Sequence, residues 1–98
     1  MRTREMYYKH YGISDTEIKE LRTKCIKASD DDKIMILQCC IEANGVLADD
    51  LYFSITQGLG YDTLSRAKGI YIPKGDFYGY QRKALSLIYE AFKSKEAL

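Results

Sequence analysis

Apolar residues recur along this chain at the three- and four-residue spacing of helices, and no stretch alternates long enough to predict a strand. The clearest local pattern is Ile13-Ser14-Asp15-Thr16-Glu17-Ile18. Ser14 can accept from the Glu17 amide while the Glu17 carboxylate reaches back to the Ser14 amide, a capping box, and Ile13 and Ile18 are placed for the hydrophobic staple. The helix this starts carries Ile18, Leu21 and Cys25 on one stripe, with Ile26 beside it, and ends near Lys27 or Ala28. Ser29-Asp30-Asp31-Asp32 opens a second helix, its acids suited to the positive end of the helix dipole. Ile34, Leu37, Cys40 and Ile41 predict its inner stripe, widened by Met35 and Ile36, and make it the expected most-buried element. Asn44-Gly45 is expected to end it in a left-handed cap. Leu47, Leu51, Phe53 and Ile55 predict a third helix up to Gln57, closed by Gly58. Met1 to Tyr11 has the makings of a short amphipathic helix stopped by Gly12. The expected fold is all-α, a small bundle of five or six short helices in a single helical domain, 1–98.

The last forty residues form a distinct pattern. Tyr61 to Lys68 reads as a short helix ending in Gly69, Ile70 to Gly75 as an apolar connector, and Asp76 to Lys93 as a longer helix. Together, 61–93 has the outline of a helix-turn-helix, in which one helix braces the turn and the next offers side chains to a groove. Leu64 and Ala67 are expected to face the core, and Asp62 to cap. Phe77, Tyr80 or Gln81, Ala84, Leu85, Ile88 and Phe92 predict the buried stripe of the second helix. Asp76, Tyr78, Gly79, Arg82, Lys83 and Ser86 are left facing outward.

Composition changes this picture little. The 98 residues are 46% hydrophobic and 30% charged, the profile of a folded globular chain rather than a disordered one. Net charge is +1, but its distribution is uneven. Residues 34–60 hold no Lys or Arg and three acids, Glu42, Asp49 and Asp50, whereas 61–98 holds seven basic and four acidic residues. The cationic end therefore coincides with the helix-turn-helix outline, a footprint compatible with nucleic acid. No signal peptide or membrane-spanning run is visible, and cysteines at 25, 39 and 40 read as small buried residues of a reducing cytoplasm.

The residues from Tyr61 to Gly69, followed by Phe77 to Leu85 with Gln81-Arg82-Lys83-Ala84-Leu85 at its end, resemble the fourth region of bacterial sigma factors. They are also similar to phage late-gene regulators of the RinA/ArpU type. Leu64, Gly69, Ala84 and Leu85 carry the likeness, while Ser65 stands where those families place alanine and the connector is longer and more apolar. The resemblance covers about thirty residues. It implies major-groove contact with double-stranded DNA through the helix 76–93, by Lys74, Tyr78, Gln81, Arg82 and Lys83, with Arg66 and Lys68 on phosphates. The four or five cations near the motif fall short of the six or more phosphate contacts common at specific sites, so a homodimer or recruitment by a partner such as RNA polymerase is expected, and the resemblance favours the second.

Nothing points to an enzyme, a metal or a cofactor. His10 is the single histidine, and the acids at 30–32 and 49–50 suit helix starts. Ser54, Ser65 and Cys25 lack an identifiable base. Tyrosine is over-used, nine against three phenylalanines. Half-buried tyrosines rimming the core explain this, and so does a binding surface, since tyrosine is enriched at interface hot spots. Two readings therefore stand: a small DNA-binding transcriptional regulator of phage or mobile-element type, and a helical protein-interaction module that uses a tyrosine-rich surface.

Overall fold

In the computed structural model, which describes residues 3–96 apart from the Arg4 side chain, five α-helices follow two short 3-10 turns, Thr3–Glu5 and Tyr8–Tyr11. The helices are α1 (Asp15–Ile26), α2 (Asp30–Ala43), α3 (Ala48–Gln57), α4 (Tyr61–Lys68) and α5 (Lys74–Glu96). Among the described residues there is no strand. The connectors are 27–29, 44–47, 58–60 and 69–73, and the Cα radius of gyration is 12.7 Å, the value of a compact chain of this length.

α1 begins as its sequence predicts. Ser14 Oγ accepts from Glu17 N at 3.2 Å and Ser14 N donates to Glu17 Oε1 at 3.1 Å. Ser29 Oγ caps α2 by accepting from Asp32 N. Gly58 (φ 69°) and Gly69 (φ 71°) end α3 and α4 in the left-handed conformation that disfavours a Cβ.

One core joins all five helices. Phe77, Ile36, Leu51, Leu85, Ile88, Cys25 and Cys40 are its most enclosed side chains. α5 is the hub, packing on α2, α3, α4 and both N-terminal turns. Phe77, Gln81, Ala84, Leu85, Ile88 and Phe92 form its inner stripe as expected.

Four expectations need correction. The segment expected as an N-terminal helix forms two 3-10 turns across its described part, with Met1 and Arg2 outside the described residues. Asn44 is extended (φ −165°), and its side chain instead accepts from Val46 N and Leu47 N, tying the connector into a tight turn. Ala67 is exposed. The fourth correction is the largest: α2 buries Ile36, Cys39, Cys40 and Ala43, while Ile34 and Ile41 face solvent. Apolar residues nearly encircle α2, so spacing alone does not say which face turns inward.

Candidate functional site

The residues expected to touch DNA fall into two groups. Arg66, Lys68 and Lys74 stand exposed around α4. Arg66 Nε donates to the Asp62 carbonyl at 3.3 Å, and Lys74 Nζ lies 3.2 Å from the Asp62 carboxylate. Lys68 Nζ sits 3.2 Å from Asp50 and 4.4 Å from the Phe53 ring centroid. The Asp62 carboxylate therefore pairs with Lys74 rather than capping α4, whose N-cap is Gly60.

The α5 residues are largely engaged inside the protein. Gln81 is 4% exposed; its Nε2 donates to Ser54 Oγ at 2.7 Å and its Oε1 accepts from Arg22 Nη2 at 3.4 Å. The outward position that groove contact requires is thus not the one Gln81 occupies. Gly79 and Ser86, also expected outside, are buried. Tyr78 is half-buried, with its hydroxyl accepting from Tyr61 N at 3.0 Å. Arg82 Nε donates to the Met6 carbonyl at 2.6 Å, and its guanidinium lies 4.7 Å from the Tyr7 ring centroid. Lys83 is half-buried. The outer side of α5 is thus partly covered by the N-terminal segment, which the periodicity of α5 alone cannot reveal.

The tyrosines divide unevenly too. Tyr61 donates to the Ile72 carbonyl at 2.6 Å, Tyr8 accepts from Arg22 at 2.8 Å, and Tyr89 donates to Glu17. Tyr8, Tyr11, Tyr52, Tyr61, Tyr78, Tyr80 and Tyr89 all pack against the core. Only Tyr7 and Tyr71 appear among the large exposed apolar side chains. Most of the tyrosine excess therefore serves as a hydrogen-bonded rim around a small core. His10 is also accounted for, its Nδ1 accepting from Tyr7 N at 2.8 Å.

The exposed apolar surface lies elsewhere, on α2. Ile34 is 60% exposed and Ile41 52%. Seven residues apart, they fall on one side of the helix two turns, about 10 Å, apart. Leu37 is half-buried beside them and Gln38 lies exposed between them. Asp30 and Asp31 share this side one turn before Ile34, and exposed Glu42 borders it. Val46, 94% exposed, follows in the connector. The result is an apolar stripe flanked by Asp30, Asp31 and Glu42, with half-buried Lys33 on its Leu37 side as the one cation of α2. The spacing of these isoleucines reads in the sequence as a core stripe, and only the packing of the other side of α2 reveals that it is exposed.

Among the described residues no cluster of three His, Cys, Asp or Glu is arranged to hold a metal, and no helix is long and apolar enough to cross a membrane. Comparisons with protein-family models, with curated proteins and with solved structures find no match for this chain.

Proposed function

We propose that this chain is a helical protein-interaction module whose docking surface is the Ile34–Ile41 side of α2. The observation that carries the reading is that pair of isoleucines, more than half exposed and aligned along one face. A helix laid along them would place apolar side chains at i, i+3, i+4 and i+7 against the stripe. The acids at 30, 31 and 42 specify that partner as cationic. Each isoleucine has about half of its 1.5–3 kcal/mol of burial energy still to gain. After the cost of ordering two partners, that suits a transient, micromolar contact better than a permanent one.

The test is a titration with a basic amphipathic helical peptide, paired with an acidic peptide of identical apolar pattern. The expected outcome is amide shifts confined to α2 and its connector, weaker binding at higher salt, and about tenfold weaker binding for Ile34→Ser with Ile41→Ser. Equal binding of the two peptides, or shifts centred elsewhere, overturns the reading.

A second reading, contact with double-stranded DNA, draws on the resemblance of 61–85 to sigma-factor region four and on the exposed trio Arg66, Lys68 and Lys74. Three cations supply only a modest, salt-dependent increment. Duplex binding at low salt that disappears on replacing all three with alanine supports this reading. Absence of binding, or binding that ignores those substitutions, removes it.

A further inference from the structure

A second feature lies away from α2. Between α1, the 58–60 connector and α5 there is a cleft of about 300 Å³. Its apolar lining comes from Ile26, Ile55, Leu59 and Leu85, and its polar groups are Arg22, Ser54, Tyr78 and Gln81. The volume is at the small end of ligand pockets, and a few polar groups in an apolar lining is the usual make-up of one.

The polar groups form a chain with spare capacity at one end. Ser54 Oγ donates to the Leu59 carbonyl at 2.6 Å and accepts from Gln81 Nε2 at 2.7 Å. Gln81, buried deeply on the core helix, is held in one orientation by that bond. Arg22 ends the chain. Its Nη2 donates to Tyr8 at 2.8 Å and reaches Gln81 Oε1 only at 3.4 Å, beyond the 2.7–3.2 Å of an ordinary N–H···O bond. Lys24, Lys68, Lys74 and Lys95 each sit on a carboxylate, whereas none of the described ion pairs involves Arg22. Arg22 is exposed, so a planar cation with five donors stands at the edge of the cleft, its described hydrogen bonds going to one neutral phenol and one neutral amide and its guanidinium lying 6.0 Å from the Tyr8 ring centroid.

The mouth is kept clear. Gly60 has φ −83° and ψ 169°, a conformation open to any residue, so its backbone does not call for glycine. A Cβ there would come within 3.4 Å of the Tyr78 hydroxyl, and one at Gly58 within 3.5 Å of Ile26 Cδ1. Side chains on this connector would extend from both positions toward residues that line the cleft. Ile26 itself is half exposed, an aliphatic side chain with room for a further contact.

We infer that this cleft binds a carboxylate group attached to a compact apolar body, with Arg22 holding the carboxylate and Ile26, Ile55 and Leu85 enclosing the apolar part. A single guanidinium matches the charge of one carboxylate, and a phosphate dianion would call for more cations than this cleft contains. Two sources carry the required chemistry: a free aliphatic or aryl carboxylic acid, and the C-terminal residue of a peptide.

The experiment uses the full chain, labelled for side-chain amides and isoleucine methyls. It is titrated with 4-phenylbutyrate, with its methyl ester, and with short peptides ending in leucine as the free acid or the amide. Expected are saturable shifts of the Gln81 side-chain amide and of the Ile26 and Ile55 methyls, with affinity on the order of millimolar for the small acid. Ester and amide forms bind at least about tenfold more weakly, as does Arg22→Gln. Gly60→Leu, which closes the mouth without backbone strain, removes the shifts while leaving the thermal midpoint within a few degrees. Tighter binding of free-acid peptides than of 4-phenylbutyrate identifies a chain terminus as the ligand, and the reverse order identifies a small acid. Absence of saturable shifts with either class, equal binding of acid and ester, or binding undiminished in both Arg22→Gln and Gly60→Leu overturns the inference.

Discussion

At the scale of single residues, burial decides chemistry. Cys25 and Cys40 are fully enclosed, and desolvation pushes both thiols up to about 12; it also raises Cys39, less enclosed, above its ordinary value. The thiolate is the reactive form, so at pH 8 the two enclosed sulfurs are almost entirely protonated as well as covered. Folded protein is therefore expected to resist iodoacetamide at pH 8 over hours, whereas denatured protein takes up three equivalents within minutes. Fast labelling of Cys25 or Cys40 in the folded state would show that α1 and α2 open locally. The inert role of these cysteines is legible in the sequence, because an odd count with two adjacent members suits neither a disulfide set nor a metal site. The fate of Gln81 is not legible. A glutamine on a helix reads as surface, and only the arrival of Ser54 and Arg22 from distant positions gives it partners inside.

At the scale of elements, helix boundaries are legible wherever a single residue or a local pair determines them. Ser14 with Glu17, Ser29, Gly58 and Gly69 mark boundaries by local hydrogen bonding or by backbone conformation, and neither depends on the rest of the molecule. The inward face of α2 was not legible, because its apolar residues leave two faces nearly equal in hydrophobicity. The choice is made by what packs on it, α3 on one side and α5 on another. The same ambiguity hid the candidate docking stripe, which the unaided pattern assigns to the core. A paired substitution checks the orientation. Ile36→Ala removes a fully buried side chain and is expected to cost about 2–5 kcal/mol. Ile34→Ala, two residues away on the exposed side, is expected to stay within about 0.5 kcal/mol. Urea unfolding of the two variants measures both, and equal losses would mean that α2 sits rotated from the orientation described.

At the scale of the whole molecule, the C-terminal half of α5 is fastened to α1 and α2 by polar contacts between residues far apart in sequence. Tyr89 donates to Glu17, Lys95 pairs with Asp32, and Lys24 pairs with Glu96 at 2.6 Å. The bond from Tyr89 holds the Glu17 carboxyl below its ordinary range, helped by the Ser14 cap, and Lys95 does the same for Asp32. A carboxyl with a depressed folded-state pKa stabilises above its unfolded value and loses that contribution as pH falls through the folded one. The unfolded values are near 4.5 for Glu17 and 3.8 for Asp32, so the thermal midpoint is expected to fall as pH drops below about 4.5. At the alkaline end the sign reverses for Tyr89, whose hydroxyl is raised above its ordinary 10.0 chiefly by the bond to Glu17. Its contribution is complete below pH 10 and disappears as the folded hydroxyl ionises, which gives a plateau bounded on both sides. Glu17→Gln separates this contact from general acid unfolding. The variant loses the anionic acceptor at every pH, so it should melt lower at pH 7 and converge with the parent protein in acid. Coincident melting curves across the whole pH range would mean that the Glu17 carboxylate contributes nothing, and that α5 is held by its apolar stripe and its pairs with Asp32 and Lys24.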